Sequence, residues 1–232
     1  MKIRVLSDLH LELHPLSNLN FNNQADVVIL AGDIGNPFES SYVHLLRKLS
    51  LTHAQVIVIT GNHEYYNHTI EEVEVRMRKL CSDNIHYLQK DVFIYQDVKF
   101  IGCTLWSAIK DESLCKYMND FTWIKDFTFD QYCKLHEDHK LWLEEELTKP
   151  HDKICVITHH LPLIRLTDVE YIDHPLNSFF ASDIDVKGAD YWCYGHTHKA
   201  NHIKMGCAFY CNPRGYQDEQ SGWDMDCVFK IE

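Results

Sequence analysis

Short apolar runs punctuate the chain, and most of them stop at a polar cluster. Ile3-Arg4-Val5-Leu6, Val27-Val28-Ile29-Leu30, Val56-Ile57-Val58-Ile59 and Ile154-Cys155-Val156-Ile157 read as buried strands, and Tyr191-Trp192-Cys193-Tyr194 as a weaker one. Further strands are predicted over Lys99–Thr104, Lys153–Thr158, Ala200–Met205, Ala208–Cys211 and Asp226–Ile231. Three helix starts are marked. Asn36-Pro37-Phe38-Glu39 reads as an N-cap with Pro at the first helical position, opening a helix to about Leu49. Thr69-Ile70-Glu71-Glu72 and Thr128-Phe129-Asp130-Gln131 are capping boxes. Val73, Met77 and Leu80 form the stripe behind the first box. Leu135, Trp142, Leu143 and Leu147 follow the second, and Pro150 helps to stop that helix.

The first half is therefore βαβ-like and the end is strand-dense and hairpin-like. That mixture predicts an α/β (α+β) fold of two mixed sheets packed together with helices outside, a four-layer αββα sandwich. No internal repeat, low-complexity segment or Gly/Ser linker interrupts residues 1–232, so one domain is expected. The stretch from Trp106 to Phe129 stands apart, with six aromatic residues among Asp111, Glu112, Asn119, Asp120 and Asp126. It reads either as a lid with an aromatic wall over a site, or as a connection packed by its own aromatics.

The polar clusters carry the chemistry. They are Asp8-Leu9-His10, Gly32-Asp33, Gly61-Asn62-His63-Glu64, His159-His160 and Gly195-His196-Thr197-His198, each where a strand ends. Open α/β sheets build their sites at strand ends, and no packing need explains metal-type side chains at all five. In an extended backbone alternate side chains point the same way, so Asp8 and His10, and likewise His196 and His198, are expected to face one side. The two oxygens of Asp33 suit a bridge between two cations, and Asn62 offers a neutral amide oxygen. Oxygen and imidazole donors without thiolate suit Mn²⁺, Fe²⁺/Fe³⁺, Co²⁺ or Zn²⁺. The remaining histidines have no such context and read as surface or packing residues.

Charge and cysteine content narrow the partners. Lys plus Arg number 22 against 34 Asp plus Glu, a formal net charge of -12. That balance disfavours a nucleic-acid binder, which needs a basic face. A small anionic substrate remains open, since bound dications supply local positive charge. The nine cysteines form no Cys-x-x-Cys pair, which favours reduced thiols in a cytosolic protein. Cys207 and Cys211 are expected to pack in two adjacent strands. No signal-peptide core and no apolar stretch of bilayer length is present, so a soluble cytoplasmic protein without membrane contact is expected.

The five clusters, in this order, resemble the calcineurin-like metallophosphoesterase superfamily over nearly the whole chain. The resemblance implies one metal held by Asp8, His10, Asp33 and His198, and a second by Asp33, Asn62, His159 and His196. It makes His63 the catalytic histidine and favours His159 over His160 as the ligand, leaving His160 to touch substrate or to pack. It implies hydrolysis of a phosphodiester or nucleotide-type small substrate. Two close cations can share a water and lower its pKa, with manganese the metal expected to support activity in vitro. His63 would then protonate the leaving oxygen as general acid. Asn212-Pro213-Arg214-Gly215-Tyr216 resembles a segment of bacterial and phage members, as does Gly102-Cys103-Thr104-Leu105-Trp106. Arg214 could clamp an anion and Tyr216 could stack on a ring, or the segment is simply a turn near the metal loops. The alternatives are a nuclease of the same superfamily, against which the acidic balance counts, and a non-catalytic metal-binding scaffold.

Overall fold

The computed structural model describes residues 1–15, 21 and 25–232. The strands are β1 (Lys2–Leu6), β2 (Val27–Ala31), β3 (Gln55–Ile59), β4 (Ile85–Tyr87), β5 (Asp91–Tyr95) and β6 (Val98–Cys103). They continue with β7 (Lys153–Thr158), β8 (Tyr191–Tyr194), β9 (Asn201–Met205), β10 (Cys207–Cys211) and β11 (Val228–Lys230). The helices are α1 (Ser40–Ser50), α2 (Ile70–Leu80), the single turn α3 (Asp120–Trp123) and α4 (Phe129–Thr148). One sheet has the order β11-β1-β2-β3-β4 and the other β5-β6-β7-β8-β10-β9. Strands β1 to β4, of which β4 is an edge, are parallel, as are the inner strands β6, β7, β8 and β10. The edges β11, β5 and β9 pair antiparallel.

The period of two along each strand divides the core into three layers. Ile3 and Val5, Ile29 and Ala31, Ile57 and Ile59 meet Phe100, Cys155, Ile157 and Cys193 of the second sheet. The intervening Leu6, Val28, Leu30, Val56 and Val58 turn outward onto Leu45 and Leu49 of α1 and Val73 and Met77 of α2. Ile101, Ile154, Val156 and Trp192 turn outward onto Leu143 and Leu147 of α4. Both faces of each central strand are thus covered, which is why these runs are continuously apolar. Each fully buried aliphatic side chain contributes about 1.5–3 kcal/mol.

Both capping boxes form. The Thr69 hydroxyl accepts Glu72 N–H at 3.2 Å and Glu72 returns a bond to Thr69 N–H at 3.0 Å. Thr128 and Gln131 repeat the exchange at 3.2 and 2.9 Å. The first helix departs from expectation, starting at Ser40 after an N-cap Glu39 whose side chain does not cap it. Asn36 instead closes a turn, its Oδ1 accepting Phe38 N–H at 2.9 Å and its carbonyl Glu39 N–H at 3.0 Å. The same short polar side chain serves caps and Asx-turns alike. Cys207 and Cys211 lie on one strand, β10, not on two. Strands β4 and β5 were not anticipated, because one is three residues long and the other is a half-exposed edge.

The segment from Trp106 to Phe129 divides its aromatics. Trp106 and Phe127 are buried, with ring centroids 5.2 Å apart, and Phe121 stacks on Tyr132 of α4 at 5.6 Å. Tyr117, Met118, Asn119 and Asp120 instead line the cleft above the strand ends. Among the described residues no helix is long and apolar enough to cross a membrane.

Candidate metal centre

The polar clusters all sit beyond the C-terminal ends of parallel strands: β1, β2, β3, β7 and β8. The backbone there is not extended. Asp8, His10, Asp33, His196 and His198 have φ of 50°, 45°, 53°, 67° and 48°. Non-glycine residues in this left-handed region cost about 1–3 kcal/mol each and cluster at functional sites. The alternation argument for Asp8 and His10 therefore does not describe this backbone, where left-handed residues and not a pleat aim the two side chains into one cluster. Glycines let the loops approach. Gly32 has φ 86°, and a Cβ there would lie 2.5 Å from His159 Nδ1. A Cβ on Gly61 would collide with the Asp33 carboxylate.

Backbone donors lock the carboxylates in place. Asp33 Oδ1 accepts His63 N–H at 2.8 Å, and Asp8 accepts His196 N–H at 3.0 Å. Glu64 ties two loops together by accepting Asp33, Ile34 and Gly61 N–H at 3.0, 2.7 and 2.7 Å.

The imidazoles are held from behind, so that Nε2 points inward. His10 Nδ1 meets Glu12 Oε1 at 3.1 Å, His159 Nδ1 donates to Ala31 carbonyl at 2.9 Å, and His198 Nδ1 meets Glu219 Oε2 at 2.6 Å. Inside, His10 Nε2 and His198 Nε2 are 3.2 Å apart, and His198 Nε2 lies 3.4 Å from Asp8 Oδ1. His159 Nε2 lies 3.3 Å from Asp33 Oδ2 and 3.2 Å from Asn62 Oδ1. His196 Nε2 is buried without a hydrogen-bond partner among the described residues. Asn62 is oriented too, because Asp120 Oδ1 accepts its Nδ2 at 2.8 Å and Tyr66 OH at 2.9 Å. Metal-ligating histidines have this back-bonded form. Two clusters, Asp8/His10/His198 and Asp33/His159/His196, each place their donor atoms within 4.8 Å of one another.

A third grouping within that distance joins His63 to His10 and Asp33. His63 is bonded otherwise. Its Nδ1 meets Glu12 Oε1 at 3.2 Å, its Nε2 meets Tyr216 OH at 3.3 Å, and Asp33 Oδ2 stands 3.9 Å away. Tyr216 is thereby brought to the cleft. Two other sequence candidates are not. His160 is fully buried behind His196 and against Trp106, at ring distances of 4.3 and 5.3 Å, so it does not line the cleft. Arg214 lines a neighbouring hollow, and its backbone N–H donates to Ser7 carbonyl at 3.0 Å. Pro213 pairs in parallel with Ser7 beside it, so the segment anchors the β1 loop as a strand-like bridge and not as the turn expected.

The model of the calcineurin-like phosphoesterase family matches residues 1–200. The chain belongs to that family. The uncharacterized protein L509 of Acanthamoeba polyphaga mimivirus is 29% identical over 270 aligned positions, which cover 99% of this chain and 96% of that protein. Among solved structures, the phosphopantetheinyl hydrolase of Mycobacterium tuberculosis superposes with a TM-score of 0.71 at 14% identity, over 95% of this chain and 93% of that one. A dimetal phosphatase from Danio rerio gives 0.52 at 13% identity, over 91% and 86%. At these identities the structural likenesses show the fold.

The electrostatics of this phosphoesterase fit a cationic occupant. Burial opposes charge on Asp33, yet His159 and His63 hold its carboxyl well below the usual range. Burial likewise opposes a charged His159, and the Asp33 carboxylate outweighs it, lifting the imidazole to about 10. His198 rises to about 9 in the same way, through Asp8 and Glu219. Carboxylates that draw protons onto two imidazoles this strongly demand positive charge, and ligating ions release such protons. The residues present therefore fit metal ions. Three participants escaped sequence reading: Glu12, Asp120 and Glu219. Glu12 stands two positions after His10 and is the one with a local signal. Asp120 and Glu219 reach the site only through the fold.

Proposed function

We propose that this phosphoesterase hydrolyses a small phosphoester, of diester or nucleotide type, with two metal ions held by Asp8, His10, Asp33 and His198 and by Asp33, Asn62, His159 and His196. The observation that carries the reading is the set of back-bonded imidazoles whose Nε2 atoms converge on Asp8 and Asp33. When bound, such ions lower the pKa of a water and offset phosphate charge. The chain supplies the remainder. Asp33 and Asp8 are held ionised, Asp120 aims the Asn62 oxygen inward, and Glu64 keeps the Asp33 and Gly61 loops in register. His63 is the general acid. Burial opposes its charged form, but Asp33 and Glu12 raise its proton affinity above the ordinary value, the direction a proton donor needs. Its Nδ1 is held by Glu12, leaving Nε2 to deliver that proton to the leaving oxygen. The names of the mycobacterial hydrolase and the zebrafish dimetal phosphatase support the same chemistry. Manganese is the metal we expect to support activity in vitro, and the nine free thiols support a cytosolic setting.

Elemental analysis of the purified protein, with hydrolysis of bis(p-nitrophenyl) phosphate under Mn²⁺, Fe²⁺, Co²⁺ and Zn²⁺, tests the reading. Two equivalents of metal and turnover are expected. A protein that binds no metal and is inert under all four would overturn it in favour of a scaffold.

A further inference from the structure

The cleft over the candidate metal centre has a volume of about 440 Å³. Its floor is Asp33, Asn62, His63, His196 and His198, and its walls include Tyr66, Tyr117, Met118, Tyr171, Leu176 and Phe180. Two features of these walls decide what they admit.

The first is charge. No lysine or arginine lines the cleft among the described residues, and residues 16–20 and 22–24 include none. Of the nearby cations, Lys116 Nζ lies over the Tyr117 ring at the rim, 4.9 Å from its centroid, Lys199 Nζ is 3.8 Å from Asp168 Oδ2, and Arg214 lines the neighbouring hollow and not the cleft. Beyond Asp33, the ionisable acids on the lining are Asp120 and Glu219. A second phosphate on a substrate would thus find Glu219 and the His174 imidazole but no guanidinium or ammonium on the described lining, whereas sites for polyphosphates surround them with such groups.

The second is aromatic surface. Tyr117 is 62% exposed and Tyr171 55% exposed. Tyr171 has no ring partner among the described residues, and Tyr117 has only Lys116. Exposed tyrosines at a cleft mouth offer flat, amphipathic contact area at small entropic cost, suited to a planar ring.

We infer that the cleft takes an ester with a single phosphate whose organic part is uncharged and carries a planar aromatic ring, such as an aryl group or nucleobase held between Tyr117 and Tyr171. This rests on the proposed hydrolysis. Water adds to phosphorus and gives up a proton to solvent, the phosphorus–oxygen bond to the organic group breaks, and the leaving oxygen takes the His63 proton to depart as a neutral hydroxyl compound, after which His63 regains a proton from solvent.

The test reads binding, so that it stands apart from turnover. Manganese-loaded protein is titrated by calorimetry with phenylphosphonate and methylphosphonate, and with adenosine 5′-monophosphate and 5′-diphosphate. Phenylphosphonate should bind roughly 10-fold more tightly than methylphosphonate, the scale of one stacking contact. In Tyr117→Ala/Tyr171→Ala, both exposed positions whose removal leaves the core intact, that ratio should fall towards one. The diphosphate should bind no more tightly than the monophosphate. A diphosphate at least tenfold tighter, or a phenyl advantage that is absent or survives loss of both tyrosines, overturns the inference. If the protein hydrolyses no ester under any metal yet shows these ratios, the hydrolytic reading fails and the inferred ligand class stands.

Discussion

The floor and the walls of the cleft are built by opposite means. The floor grows from strand ends, with carboxylates and imidazoles buried, back-bonded and held on left-handed turns. The walls come from loops, with Tyr117 and Tyr171 open to solvent. Strain at the floor persists because both sheets and the Glu64 cross-tie over-determine it. Tyr66 is tied down through Asp120, but among the described residues the Tyr117 and Tyr171 side chains carry no such cross-tie. Chemistry thus sits where the fold is stiffest, and selection where side chains can adjust.

The contrast breaks first at Asp33. Asp33→Asn removes the charge shared by both proposed metal positions with almost no change in volume, so metal content and turnover should both fall to background. Elemental analysis beside an activity assay checks this, and wild-type stoichiometry with wild-type activity would refute the bridging assignment. His63→Ala should act differently, keeping the metal. Turnover on alkyl esters should fall by about 10²–10⁴-fold, the usual worth of a general acid, and by much less on p-nitrophenyl esters. Equal losses on both leaving groups would remove the general-acid role.

Glu12 sharpens the comparison because it supports the floor without belonging to it. Its Oε1 meets both His10 Nδ1 and His63 Nδ1. Glu12→Gln should lower metal affinity or activity by roughly 10–100-fold, the range for partners behind a ligand, as read by metal titration and steady-state kinetics. The smallest effect is expected far from both regions. His139, on the buried stripe of α4, is pushed down to about 3, chiefly by burial. Asp138 opposes the shift, whereas Lys90 and His136 add to it. The unfolded chain takes up this proton first as pH falls. The stabilisation is therefore complete above the ordinary value of 6.5 and declines from there towards pH 3. His139→Leu should flatten the fall in stability between pH 7 and pH 5 by about 2 kcal/mol, at 1.36 kcal/mol per unit. Denaturant melts of both proteins at the two pH values measure it.

Local signals made part of the site legible. The runs ending at Asp8, Asp33, Asn62, His159 and His196 announced strands and their chemistry together. The boxes at Thr69 and Thr128 placed two helices correctly. Where one residue type serves two local structures the expectation fails, as at Asn36, whose oxygen closes a turn four residues before the helix.

Sequence by itself determined the alternation that fills three core layers and the donor types that gather at the strand ends, because both follow from short-range periodicity and side-chain chemistry. Tertiary structure alone decided which donors face one another. His10 meets His198 across 188 positions, and Asn62 meets Asp120 across 58. It also set His159 onto Asp33 and Asn62 and His160 into the packing behind His196, and it turned Asp8, His10 and Asp33 on left-handed backbone that an extended reading does not foresee. Such contacts arise between loops that become neighbours only once the sheets pack, so no local pattern encodes them.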